Sequence, residues 1–148
     1  LLAGGDSTRM GSPKHLLPDA DGTPFYLGRL KMLRQSFPEA QHLCLLLRDD
    51  SQRPSICIPP DMDVHVLSVD ASGRASRQRG PALTIFAAFS FDQRCCWLVI
   101  PCDYPFLAAP ELRHLRAQYR DPVTCFKNSQ GLTEPLVAMW SPKALSHL

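Results

Sequence analysis

Two continuous apolar runs set the strongest limit on how this chain can fold. The run HLCLLLRDD covers residues 42–50 and is closed by charged residues, and the run CCWLVIP covers residues 95–101. A strand that alternates apolar and polar residues keeps one face in water, whereas a continuous apolar run needs cover on both faces. The two runs therefore predict strands of a parallel sheet that lies between helices.

Segments with a helical pattern alternate with these strands. Apolar residues recur at close to helical spacing from Phe25 onwards, and Pro38 ends the segment. Further helices are predicted at residues 80–91, 109–119 and 141–148, the last with Ser141 as its N-cap. Shorter strands are predicted at residues 1–3, 64–67, 122–126 and 134–140. This order predicts an α/β fold with a mostly parallel sheet and helices on both faces.

Length, composition and charge place the chain in a broad class. Its 148 residues, 45% hydrophobic and 20% charged, suit one globular domain with a real core. A formal net charge of +2 is too small to indicate nucleic acid or an anionic membrane as a partner. No apolar run approaches the roughly 18 residues of a membrane span. We expect a single cytoplasmic domain over residues 1–148, truncated at one or both ends because it starts abruptly on an apolar pair.

Cysteine and histidine residues give no metal-binding pattern in the sequence. The six cysteines lack zinc spacing and lie mostly in apolar contexts, so they are expected to be reduced core thiols. They are Cys44, Cys57, Cys95, Cys96, Cys102 and Cys125. The five histidines are scattered along the chain and are expected to be structural. They are His15, His42, His65, His114 and His147.

The opening stretch LLAGGDSTRMGSPKHLL places glycines, hydroxyls and cations directly after the first strand. In open α/β sheets, ligands bind beyond the carboxyl ends of the strands. Gly4 and Gly5 allow backbone amides to approach an anion, Ser7 can donate a hydroxyl, and Arg9 and Lys14 bring positive charge. The loop matches neither the Walker A pattern nor G-x-G-x-x-G. It predicts a polyphosphate site, and the alternative is a polar turn whose cations are solvated.

Asp103 follows the second apolar run, in the stretch WLVIPCDYPFL. A carboxylate at this position would face the same crevice as the glycine loop. Proteins hold Mg²⁺ with one or two carboxylates together with substrate phosphates, so Asp103 is a candidate metal ligand. The alternative is that Asp103 only caps the turn DYPF through its own backbone. The predicted phosphate loop after the first strand would face the same crevice, and this favours Asp103 as a metal ligand over Asp103 as a turn cap.

The opening stretch closely resembles the nucleotide-binding signature of the MobA-like nucleotidyltransferase family, which includes molybdenum cofactor guanylyltransferases. The matching positions are Leu2, Ala3, Gly4, Gly5, Ser7, Arg9, Met10, Gly11, Lys14, Leu16 and Leu17. Three further stretches are similar to family segments. Their matching positions are Gly80 and Pro81; Cys102, Asp103, Pro105 and Phe106; and Gly131, Pro135, Leu136 and Ala138. Thr84 departs from the family pattern, since it replaces the second glycine of the segment that begins at Gly80.

The resemblance implies a Rossmann-like three-layer sandwich of the nucleotide-diphospho-sugar transferase type. It also implies catalytic roles for Arg9, Lys14 and Asp103, with Asp103 holding Mg²⁺ as the cofactor. The nucleotide-binding residues that it implies are Leu2, Ala3, Gly4, Gly5, Ser7, Arg9, Lys14, Gly80 and Pro81. These residues combine the glycine loop with the first turn of the second predicted helix.

The reaction implied by the resemblance is attack by an acceptor phosphate on the α-phosphorus of a nucleoside triphosphate, with release of pyrophosphate. GTP is the favoured donor and molybdopterin the favoured acceptor. Transfer of this kind depends on positioning and charge neutralisation more than on a general base, so no Ser-His-Asp set is expected. The alternatives are a cytidylyl- or sugar-phosphate nucleotidylyltransferase and a non-catalytic nucleotide-binding regulatory domain.

Overall fold

The computed structural model describes residues 1–4, 13–68 and 81–147, without the side chain of Pro81. Its α-helices are α1 (Phe25–Ser36), α2 (Pro81–Phe91), α3 (Ala109–Ala117) and α4 (Pro142–Leu145). Its strands are β1 (Cys44–Leu47), β2 (His65–Ser68), β3 (Trp97–Val99), β4 (Val123–Lys127) and β5 (Thr133–Trp140). Short 3-10 turns cover Lys14–Leu16 and Asp50–Ser55. None of the helices in this part of the chain has the length and apolar character needed to cross a membrane.

The predicted helices begin and end close to where the sequence signals place them. Helix α1 ends at Ser36, two residues before Pro38, and α2 begins at Pro81. The Ser141 side chain accepts a hydrogen bond from the backbone N–H of Ala144 at 3.1 Å, so the predicted N-cap of α4 is confirmed. Capping and proline signals therefore set these boundaries.

The opening segment lies between two strands of the sheet. Strands β1 and β2 pair in parallel, and Leu2 forms parallel bridges to both Leu46 of β1 and Pro101 beyond β3. The predicted first strand is thus present as a bridge rather than as a full strand. The carboxyl ends of β1, the opening segment and β3 consequently face the same edge of the sheet, where ligands bind in open α/β folds.

The other half of the sheet runs differently from the prediction. Strand β5 lies between β3 and β4 and is antiparallel to both. The connection from β4 to β5 is a tight turn in which Gly131 has a φ of +84° and its N–H bonds the carbonyl oxygen of Asn128. Such a short connection permits only antiparallel neighbours, because a parallel pair needs a crossover. The fold is therefore mixed α/β, and a mostly parallel sheet is wrong for β3, β4 and β5.

Strand β1 confirms that the first apolar run is covered on both faces. All four of its residues are buried. Leu45 and Leu47 belong to a core cluster that contains residues of α1 and α3. Cys44 and Leu46 belong to a second cluster that contains residues of α2 and α4. Alternate side chains of one strand thus enter two separate cores, as the pleat requires.

The cysteines are all free thiols, but they are not all core residues. Cys44 and Cys102 are buried, as predicted. Cys57 and Cys96 are exposed, so the prediction of a core position is wrong for these two. Cys57 follows the Asp50–Ser55 turn, and Cys96 precedes β3, so both lie outside the strands. An apolar context in sequence therefore did not guarantee burial beyond the strands.

Candidate functional site

Lys14 and Asp103 form an ion pair at the carboxyl edge of the sheet. The Lys14 Nζ donates a hydrogen bond to Asp103 Oδ2 at 3.0 Å, and the two residues are 89 positions apart in the chain. Their side chains are 43% and 39% exposed, so both charged groups remain open to a ligand. The structure thus brings together a cation from the opening stretch and the carboxylate after the second apolar run.

Backbone hydrogen bonds of Leu2 explain why the two segments emerge side by side. The Leu2 N–H donates to the carbonyl oxygen of Ile100 at 2.8 Å, and the Leu2 carbonyl oxygen accepts from the Cys102 N–H at 2.9 Å. These bonds align the opening segment with the strand that leads to Asp103. Asp103 and Gly4 therefore leave the sheet at the same level.

Gly4 lies against the backbone at the end of β1. A Cβ atom at Gly4 would come within 2.8 Å of the Arg48 backbone nitrogen and 3.0 Å of its Cα. Contacts this short are not tolerated when the opposing atom belongs to backbone. The glycine is thus required by close chain packing, in addition to any role near an anion.

Arg48 is a cation at this edge that sequence reasoning did not single out. It directly follows β1, its backbone N–H donates to Gln52 Oε1 at 2.8 Å, and its Nε contacts Asp49 Oδ2 at 2.7 Å. Hydrogen bonds from Ser51 and then from Arg48 lower the pKa of the Asp49 carboxyl. The available signal was the charged end of the first apolar run, which was interpreted only as the end of a strand.

Glu134 places a second carboxylate beside the residue that follows Asp103. The Tyr104 hydroxyl donates to Glu134 Oε2 at 2.6 Å, and Glu134 Oε1 accepts from the Leu136 N–H at 3.2 Å. This hydrogen bond, then burial and the negative charges of Glu134 and Asp103, raise the pKa of Tyr104 to about 12. Sequence reasoning missed Glu134, although it stands next to Pro135 in a stretch matched to the family.

The turn after Asp103 is held by α1 rather than by Asp103 itself. Arg29 donates from Nη1 to the Leu107 carbonyl oxygen at 2.6 Å and from Nη2 to the Pro105 carbonyl oxygen at 2.8 Å. Within residues 13–68 and 81–147, no backbone N–H donates to the Asp103 carboxylate. The described geometry therefore favours a carboxylate that faces outward over one that caps its own turn.

His15 packs beneath the Lys14 turn as a buried side chain. It is 2% exposed, and its ring meets that of Tyr26 edge to face at 6.5 Å. Burial lowers the pKa of His15, against a smaller opposite effect from a hydrogen bond to the backbone of Ala3. Its Nε2 atom has no hydrogen-bond partner among the described residues. These contacts agree with the structural role predicted for this histidine.

The remaining predicted site residues divide into two groups. Leu2, Ala3 and Gly4 are described and lead into the site, and Pro81 opens α2 with its side chain not described. Gly5, Ser7, Arg9 and Gly80 lie outside the described residues, as do Met10 and Gly11. Thr84 is buried on α2.

Comparisons with known proteins show the family and the fold of the chain. A family model for the MobA-like NTP transferase domain matches residues 1–148. The chain is 33% identical over 124 residues to a curated protein of Rhodopirellula baltica named "Probable molybdenum cofactor guanylyltransferase". That match covers 84% of this chain and 56% of the relative, so the chain spans little more than half the relative's length. The crystal structure of Rv0371c from Mycobacterium tuberculosis H37Rv shares the fold, with a TM-score of 0.70 at 22% identity over 99% of this chain and 72% of that one.

Proposed function

The chain belongs to the MobA-like NTP transferase domain family, and from this membership we propose that it transfers a nucleoside monophosphate from a nucleoside triphosphate to an acceptor phosphate. The observation that carries the proposal is the exposed Lys14–Asp103 pair at the carboxyl edge of the sheet. The name of the Rhodopirellula baltica relative supports GTP as donor and molybdopterin as acceptor. The two cores on either side of β1 support a Rossmann-like three-layer arrangement.

Asp103 fits the requirements for a Mg²⁺ ligand. It offers hard, anionic oxygens that are partly exposed, and Lys14 is bonded to Oδ2 of the two. Outside Lys14, no described side chain donates to this carboxylate. When bound, Mg²⁺ would neutralise negative charge on the phosphates of the nucleotide. Asp103 would hold the ion, with substrate phosphates and water as further ligands.

Lys14 is proposed to neutralise phosphate charge during the transfer. Its ammonium is a compact point charge, and Asp103 holds it at the site before any nucleotide arrives. A triphosphate would offer the ammonium stronger anionic partners than one carboxylate. The acceptor oxygen would then form a bond to the α-phosphorus, and the bond to the leaving pyrophosphate would break with its electron pair. Lys14 would stabilise the charge that develops on these oxygens.

The residues around this pair are proposed to bind the nucleotide. Gly4 brings the backbone to the edge of the sheet beside Arg48, which adds a second described cation there. Arg9 is proposed as a further catalytic cation. The other nucleotide-binding residues proposed are Leu2, Ala3, Gly5, Ser7, Gly80 and Pro81. The family match supports these roles.

A nucleotide panel tests this proposal directly. Thermal unfolding would be followed with GTP, ATP, CTP and UTP, each with and without Mg²⁺, and pyrophosphate release would be measured with molybdopterin present. A ligand at a hundred times its Kd stabilises by about 2.7 kcal/mol, so binding is easily seen. We expect Mg²⁺-dependent stabilisation, strongest for GTP, together with pyrophosphate release.

Each alternative function has its own outcome in the same panel. Stabilisation without pyrophosphate release from any nucleotide would indicate a non-catalytic nucleotide-binding domain. Strongest stabilisation and turnover with CTP would indicate a cytidylyltransferase. Equal stabilisation by all four nucleotides would remove the guanylyl assignment and leave a phosphate site without base selection.

A further inference from the structure

His42, Asp92 and Cys95 bring three potential metal ligands together. One ligand atom from each lies within 4.8 Å of the others. The three residues come from separate places in the fold, namely the segment before β1, the residue after α2 and the segment before β3. The sequence suggested scattered histidines and cysteines without metal spacing. The cluster therefore arises from the tertiary structure alone.

This cluster lies at the opposite edge of the sheet from the proposed nucleotide site. His42 and Cys95 precede β1 and β3, whereas Arg48 and Asp103 follow the same two strands. At ~3.3 Å per extended residue, the eight positions from Cys95 to Asp103 correspond to ~20 Å or more. The cluster is thus separate from Asp103 and from the Mg²⁺ proposed there.

The His42–Asp92 distance matches an edge of a tetrahedral zinc site. His42 Nε2 lies 3.2 Å from Asp92 Oδ2, and with ordinary zinc–ligand bond lengths the corresponding edge is ~3.4 Å. Cys95 Sγ lies within 4.8 Å of both atoms and would move towards them when an ion binds. The Cys95 thiol also donates to Gln41 Oε1 at 3.5 Å, so the Gln41 amide lies beside the cluster.

We propose that His42, Asp92 and Cys95 bind one Zn²⁺ ion, with the fourth coordination position facing Gln41. A thiolate and an imidazole favour Zn²⁺, because Mg²⁺ and Ca²⁺ prefer oxygen ligands. Three protein ligands with one further position is a common zinc arrangement. A bound ion would link the segment before β1, the residue after α2 and the segment before β3.

Neighbouring groups hold the ligands in place. The His42 ring packs edge to face on Phe91 at 5.2 Å and stacks on Trp97 at 6.2 Å. The Arg94 N–H donates to Asp92 Oδ1 at 2.9 Å, which directs Oδ2 towards His42. The Arg94 guanidinium also contacts Oδ1, but its side chain is 92% exposed and can move into water when a cation binds.

A cavity provides access to the cluster. It has a volume of about 420 Å³, and its lining includes Gln41, His42 and Cys95. The rival explanation is a His42–Asp92 hydrogen bond that only secures the chain after α2.

Metal titration of the whole chain tests this inference. Metal-free protein would be titrated with Zn²⁺ alone and, in parallel, with Co²⁺ as a spectroscopic probe of thiolate ligation. We expect one equivalent of metal and a sulfur-to-cobalt charge-transfer band. Cys95→Ser should abolish the band and weaken Zn²⁺ binding on the order of 100-fold or more. Cys96→Ser is the matched control, because Cys96 is exposed, contacts Tyr119 and lies outside the cluster, and it should keep both.

A second measurement needs no variant and so does not depend on variant folding. Zn²⁺ should slow alkylation of Cys95 by iodoacetamide, read by mass spectrometry, and should leave alkylation of the exposed Cys57 unchanged. The proposal is overturned by a cobalt spectrum without a sulfur band, by wild-type affinity in Cys95→Ser, or by equal alkylation with and without Zn²⁺. None of these readouts involves nucleotide, so they are independent of the proposed transferase activity.

Discussion

The ammonium of Lys14 donates to the carboxylate of Asp103 at 3.0 Å, and this contact joins a side chain of the opening stretch to one in the segment after β3. Each group balances the charge of the other while no ligand is bound. The balance is weak, because both side chains are partly exposed and such pairs contribute about 0–1 kcal/mol. A pair of this kind can exchange partners when a triphosphate and a metal ion enter.

Replacement of Lys14 by alanine should affect turnover far more than folding. We expect Lys14→Ala to reduce pyrophosphate release on the order of 100-fold, since it removes charge that stabilises the transition state. The melting temperature should change little. Lys31→Ala removes an exposed lysine of α1 and serves as the control with normal turnover. A large loss of stability with full activity per folded molecule would instead make Lys14 structural.

Asp103→Asn separates a metal ligand from a turn residue. Asparagine keeps the size and most of the hydrogen bonding but removes the charge that Mg²⁺ requires. The variant should fold, bind nucleotide weakly and show no Mg²⁺-dependent tightening, and it should lose nearly all pyrophosphate release. Titration of nucleotide binding against Mg²⁺ measures this. Curves that superimpose on those of the wild type would assign the metal to another carboxylate, with Glu134 the first to test.

Gly4→Ala should destabilise the fold itself. The added Cβ would lie 2.8 Å from the Arg48 backbone nitrogen, and overpacking against backbone costs about 1–3 kcal/mol. Urea unfolding measures the change. Gly28→Ala is the matched control, because this glycine is in α1 with open space around its Cβ position. There alanine should stabilise by about 0.5–1 kcal/mol. Equal midpoints for Gly4→Ala and wild type would contradict the packing described at Gly4.

His15 should make the stability depend on pH in the mildly acidic range. Burial lowers its pKa in the folded state, so the unfolded chain binds a proton more readily. Its unfavourable effect is absent above the unfolded pKa of about 6.5 and grows as the pH falls below that value. In urea unfolding, the free energy of unfolding of the wild type should fall as the pH is lowered from about 8 to about 5. This fall should be smaller in His15→Gln. His114→Gln, on the exposed face of α3, should keep the wild-type slope.

The sequence predicted elements well and strand directions less well. The continuous apolar run of β1 predicted burial on both faces, and all four residues of the strand are buried. Nothing in the apolar pattern of β5 encodes its direction, because a strand reads the same way in either orientation. The direction came from the tight turn at Asn128 and Gly131, which forces an antiparallel return.

The candidate site was also predicted only in part from the sequence. Lys14 and Asp103 could be paired from sequence, since both follow apolar strands whose carboxyl ends meet. Arg48 was missed because a charge after a strand is common and gives no hint of its neighbours. His42 and Cys95 were treated as unrelated, because 53 positions separate them in the chain and only strand order places them together.

The bridges formed by Leu2 connect two sheets that can unfold locally as separate units. Within the described residues, β1 and β2 form one sheet and β3, β5 and β4 form another, and Leu2 bonds to both. Parts of a protein that share few hydrogen bonds can exchange their amide protons as separate cooperative units. The Leu2 and Cys102 amides lie where the two units meet, so their exchange rates should report the coupling between the units. A nucleotide bound between Lys14 and Asp103 would link the two units and slow the exchange of both amide protons.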